Sequence, residues 1–162
     1  MRYTLRVLVA VTSVLTVASP AFAGPVVLPA SAGRVHSAAA DRAYVVRMLY
    51  ATPMSGFIAA AGSDQWFDWS TDFCSAPLVG NTGRSFNFTS ACRRHDFGYR
   101  NLHLLDRRYG PGNWNSVSRR RVDLQFLADM MAHCRSRAWY DEPTCFAWAE
   151  TFYTAVRIAG GI

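Results

Sequence analysis

Apolar positions along this chain recur at spacings of three and four residues, and no segment of any length alternates apolar with polar one by one, so helices are predicted and strands are not. A first helix fits Asp41 to Ala51, with Asp41 as its cap and Pro53 beyond its end. A shorter one fits Ser55 to Ala61 and stops at Gly62. The stretch from Ser90 to Asp106 suits one uninterrupted helix capped by Ser90, with apolar residues on more than one face. Tyr109-Gly110-Pro111-Gly112-Asn113 then breaks the chain into a turn. Another long helix is expected from Ser116 to Ser136, with Asn115 or Ser116 as cap. A last one begins near Pro143, which suits a first-turn position, and ends at Gly160-Gly161.

The segments between these helices are short on pattern. Residues 24–40 are small and Pro-containing, and are read as a flexible mature terminus. Ala76 to Phe88 contains Pro77, Gly80, Asn81 and Gly83 and reads as a loop. Trp66-Phe67-Asp68-Trp69 is dense in large aromatics, which serve a core first and a lipid interface second. With no internal repeat, the expected architecture is one small all-α domain, residues 41–162, framed by two long antiparallel helices.

Arg2 and Arg6, an apolar run from Val7 to Val17, and Ala21-Phe22-Ala23 together have the form of a secretory leader, placed at residues 1–23. The run is shorter than the ~20 apolar residues of an ordinary membrane span. An exported, extracellular protein without a transmembrane span is therefore expected, acting as a monomer. Beyond the leader, 15 basic residues, all Arg, face 11 acidic ones, a net charge of +4. That balance suits an anionic lipid surface, nucleic acid or plain solvated surface equally, and does not choose among them.

Four cysteines in an exported chain imply two disulfides, for which three pairings exist. The sequence neighbours, Cys74–Cys92 and Cys134–Cys145, are favoured. On the helix from Ser90, Cys92, His95, Asp96 and Tyr99 fall on neighbouring turns. A Cys74–Cys92 bridge would tie the loop bearing Asp72 and Phe73 beside them. Asp72, Asp96 and a backbone carbonyl near Phe73 are hard oxygen ligands suited to calcium, and the His95 imidazole can take a proton from water. A cation that polarises a carbonyl beside a base that activates water describes ester hydrolysis. Zinc is disfavoured, because no Cys-x-x-Cys or His-Glu-x-x-His spacing occurs.

Asp123 precedes Phe126, Leu127, Met130, Met131 and Cys134 by three, four, seven, eight and eleven residues, which puts a carboxylate on an inward-facing stripe. Burial of a carboxylate is costly without a partner. In an antiparallel pair of helices Asp123 can accept the proton-bearing nitrogen of His95. At a stripe edge it would instead reach solvent, Arg119 or Arg120. Tyr99 can bond a carboxylate of the site, fill core, or do both.

Trp69-Ser70-Thr71-Asp72, the Cys74 that follows, and Ala91-Cys92-x-x-His95-Asp96-Phe97-Gly98-Tyr99-Arg100-Asn101 closely resemble the small secreted phospholipases A2 of bacteria and fungi. The resemblance runs from about Trp66 to the C-terminus. It implies His95 as general base, Asp123 as the carboxylate that orients it, and calcium held by Asp72 and Asp96 side chains and the Phe73 backbone oxygen. The implied substrate is the sn-2 ester of a glycerophospholipid in a membrane or micelle, with no nucleic-acid partner. The Gly-rich calcium loop of the animal enzymes is absent, so water would fill more coordination positions. Two other classes share some features: a secreted metal-dependent nuclease, and a non-enzymatic membrane-binding module. The module would not require His95, Asp96, Asp72 and Asp123 to converge, and against the nuclease the Arg residues come as scattered pairs and one triplet, Arg119 to Arg121, without an aromatic platform.

Overall fold

A computed structural model describes residues 34–75 and 86–159. These form five helices, with no strand among the described residues: α1 (Ala38–Tyr50), α2 (Met54–Ala60), α3 (Thr89–Tyr109), α4 (Ser116–Arg135) and α5 (Glu142–Ala159). The proposed leader, most of the proposed flexible terminus and most of the Ala76–Phe88 loop lie outside the described residues. No helix among those described is long and apolar enough to cross a membrane.

Helix existence follows the periodicity, while two caps differ from expectation. Ser37, not Asp41, caps α1 through its hydroxyl and the Ala40 N–H, so residues 38–40 are helical. Asp41 is fully buried and spends its oxygens on distant donors: His36 Nδ1 at 2.8 Å, Trp66 Nε1 at 2.6 Å and Tyr109 Oη at 2.8 Å. Those bonds outweigh burial, which alone would raise its pKa, and hold the carboxyl below the ordinary range. Ser90 lies inside α3, because the Phe88 carbonyl already accepts the Cys92 N–H at 2.9 Å. Asn115 does cap α4, in a reciprocal capping box with Ser118.

α3 sits between two clusters of buried side chains, which is why its sequence is apolar on more than one face. Phe97, Leu102 and Leu105 join Val45, Leu49 and Phe57 from α1 and α2. Ala91 and Cys92 join Phe126, Met130 and Phe152 from α4 and α5, together with both disulfides. The contacts of α3 with α4 run in opposite order along the two helices: Arg94 bonds Asp129, Gly98 faces Val122, and Tyr99 bonds Arg119. Gly98 permits this approach, since a Cβ there would stand 2.8 Å from Val122 Cγ1 and 2.9 Å from Leu49 Cδ2. α5 packs along α4 as a third long helix.

The aromatic stretch before the site divides between roles. Phe67 is buried against Tyr44, Trp69 lies against Phe97, and Trp66 stays partly exposed, stacked on His36. Fully buried Asn101 anchors this stretch to α3. It accepts the Asp68 N–H at 2.9 Å and donates to the Asp68 carbonyl at 2.8 Å and the Phe97 carbonyl at 2.8 Å. Asn101→Ala strands these groups and should lower stability by about 2–4 kcal/mol, read from urea unfolding. An effect below about 0.5 kcal/mol would show that Asn101 does not anchor the loop.

Candidate active site

The Cys74–Cys92 bridge, with Cα atoms 5.3 Å apart, joins the segment after Trp69 to the first turn of α3. One turn on, the Asp96 carboxylate takes a hydrogen bond from the Thr71 hydroxyl and another from the Asp72 N–H at 3.2 Å, both at Oδ2. The loop is thus held against the helix at the carboxylate itself. Thr71 also accepts the Phe73 N–H at 2.9 Å, and Phe73 adopts φ of 59°, a left-handed conformation unusual for a residue with a side chain. Its ring is half exposed.

Burial pushes the Asp96 carboxyl up to about 6, and the nearby Asp72 carboxylate adds to that rise against the Thr71 bond and His95. Asp72 itself is 63% exposed, with Arg100 Nη2 at 3.7 Å from its Oδ1. Asp96, whose charge the neighbouring Asp72 carboxylate disfavours, together with the oxygen ligands of that loop, fits a hard divalent cation. Among the described residues no group of three or more His, Cys, Asp or Glu side chains is placed to hold a metal ion by itself. The chain would therefore offer Asp72, Asp96 and the Phe73 carbonyl, leaving water and substrate to complete the ~6–8 oxygens that calcium takes.

On the same helix, His95 Nε2 lies 2.9 Å from Asp123 Oδ1. Asp123 is fully buried, and its other donors are the Tyr99 hydroxyl at 2.7 Å on Oδ1 and Arg157 Nη1 at 2.7 Å on Oδ2, with Arg119 Nε 3.8 Å from Oδ2. Burial alone would raise the Asp123 pKa; the bonds from His95, Arg157 and Tyr99 prevail and hold it below the ordinary value. An ionised carboxylate accepts only, so Nε2 is assigned the proton and Nδ1 is left as the acceptor. Tyr99 and Phe126 flank the imidazole, with ring centroids 4.4 and 4.8 Å away.

Asp72, His95, Asp96 and Tyr99 all line one cavity of about 210 Å³, which Phe126, Phe152 and Val156 line as well. The sequence-derived site residues are therefore brought together, and both disulfides pair as sequence neighbours. Sequence reasoning missed the roles of Thr71 and Arg157, and it named Arg119 only as an alternative partner of Asp123, not as a donor to Tyr99. For Thr71 a signal existed, since a threonine two residues before a turn accepts local N–H groups. Arg157 gave none: a basic residue in a helix's last turn is ordinary. The remaining histidines have structural partners, His103 against Trp114 and His133 against Phe88.

Residues 46–160 match the model of a family described as prokaryotic phospholipase A2. A protein named secretory phospholipase A2 from Beauveria bassiana is 34% identical over 117 residues, which cover 71% of this chain and 56% of that protein. One of the same name from Arthroderma benhamiae is 32% identical over 119 residues, 70% of this chain and 75% of that protein. The chain thus matches little more than half the length of the first relative. Because the family model matches most of the chain, across every residue of the cavity described above, the chain belongs to the prokaryotic phospholipase A2 family.

Proposed function

We propose that this chain is an exported, calcium-dependent phospholipase A2 that hydrolyses the sn-2 ester of glycerophospholipids. The observation that carries the reading is the hydrogen bond of His95 to fully buried Asp123 at the edge of a cavity that Asp72 and Asp96 also line. Family membership, relatives named secretory, and two disulfides support it.

In this mechanism His95 Nδ1 takes a proton from water as the water oxygen attacks the ester carbonyl carbon. Asp123 stabilises the imidazolium that forms and keeps the ring in one tautomer, a carboxylate–imidazole pairing with water in place of a serine. His95 then returns the proton to the departing glycerol oxygen as the acyl C–O bond breaks, giving a fatty acid and a lysophospholipid. No Gly-x-Ser-x-Gly elbow occurs in the chain, so no serine nucleophile of that kind competes. Phe126, Phe152 and Val156 offer apolar surface to the acyl chain. Calcium held by Asp72, Asp96 and the Phe73 carbonyl would supply positive charge for the lipid phosphate and for the oxygen on which charge develops.

Incubated with mixed phospholipid vesicles and calcium, the protein should release fatty acid, and a chelator should abolish the release; release that survives chelation contradicts the proposed cation. Plasmid cleavage under the same conditions would favour a nuclease. His95→Asn should cut turnover by at least about 100-fold while thermal unfolding stays near that of the parent. Parent-like turnover in that variant would remove His95 as the base. Asp72→Asn should raise the calcium concentration for half-maximal activity by roughly tenfold, and an unchanged requirement would remove Asp72 from the ligand set.

A further inference from the structure

The two oxygens of Asp123 are used differently. Oδ1 accepts from His95 and Tyr99, whereas Oδ2 accepts from Arg157 Nη1 at 2.7 Å, with Arg119 Nε farther off at 3.8 Å. Arg157 stands in the last turn of α5, whose final carbonyls have no intrahelical donor. Arg119 supplies donors to two of them: its Nη2 lies 2.8 Å from the Arg157 carbonyl and 3.2 Å from that of Val156. Arg119 Nε also donates to the Tyr99 hydroxyl at 3.3 Å. The connection therefore runs both ways. An arginine of α4 caps the end of α5, and an arginine of α5 reaches the buried carboxylate of α4. Val156 and Ala159 of that same turn line the cavity.

We propose that Arg157 is a positioning residue for hydrolysis: by holding Oδ2 it keeps Oδ1 aimed at His95 and Tyr99, and so makes the orientation of the imidazole depend on the docking of the last turn of α5. This rests on the hydrolase reading above. The torsion that turns a carboxylate about its own axis is broad, so bonds to both oxygens, not rotamer preference, fix the plane of Asp123. Arg157 is suited to the task because it is permanently charged and bonds the carboxylate oxygen that His95 does not. A guanidinium that merely joined two surfaces would contribute little, as exposed ion pairs do. This one ends on a fully buried acceptor.

Three variants separate the roles. Arg157→Met keeps the apolar stem and removes the donor; Arg157→Lys keeps the cation on a shorter arm; Arg157→Gln replaces the methionine variant if that one does not fold. On a short-chain monomeric phosphatidylcholine with saturating calcium, Arg157→Met should lose roughly 100-fold in kcat with KM within about twofold of the parent. Arg157→Lys should regain at least about tenfold of that loss, with Arg157→Gln between the two. In 15N–1H spectra of lipid-free protein, the His95 Nε2–H signal should shift in Arg157→Met and return toward its parent position in Arg157→Lys. A kcat within about twofold of the parent, a loss confined to KM or to thermal stability, or an unmoved His95 signal would overturn the assignment. If the parent protein releases no fatty acid, the hydrolase reading fails, and the His95 signal still decides what Arg157 does.

Discussion

A fully buried carboxylate is the constraint from which most of this structure follows. Asp123 is ionised inside a small helical protein, a setting whose cost is offset only when donors surround the group. Here the partners come from three helices: His95 and Tyr99 on α3 and Arg157 on α5 share hydrogen bonds with it, and the Arg119 charge on α4 itself stands 3.8 Å away. The three cannot move apart without stranding a charge. The geometry that stabilises Asp123 is the same geometry that orients His95, so fold and site share one set of bonds.

The second requirement is a loop brought to a helix, and it is met without extended secondary structure. Asn101 holds the Asp68 backbone, the Cys74–Cys92 bridge holds the far end, and Asp96 takes the Thr71 hydroxyl and the Asp72 N–H between them. All three attachments land on α3 within three turns. α3 can serve this way because it is buried on two sides, between the cluster around Phe97 and the cluster around Phe126 and Phe152. A helix so fixed gives its polar side chains little freedom to drift.

Much of this was legible in the sequence because helical period and cysteine order are local signals. The three- and four-residue spacing of Cys92, His95, Asp96 and Tyr99 sets their common face, and Asp123 stands out as a carboxylate on an apolar stripe. What escaped depends on pairings that no local window contains. Asp41 has the composition of a cap, yet Trp66 and Tyr109, 25 and 68 residues away, claim its oxygens, and Ser37 takes the cap. Ser90 failed as a cap because α3 starts one residue earlier. Arg157 lies 34 residues from the carboxylate it bonds, in a position where arginine is common for other reasons.

The account stands on one juxtaposition: the groups that would grip a cation and the imidazole that would activate water line the same cavity. Crystals of the protein grown with calcium and a non-hydrolysable phospholipid analogue test this most directly. The expected result is an ion within about 2.3–2.6 Å of oxygens from both Asp72 and Asp96, with the analogue's sn-2 carbonyl between it and His95. An analogue bound with no ion on these carboxylates, or with its ester carbonyl out of reach of His95, would contradict it.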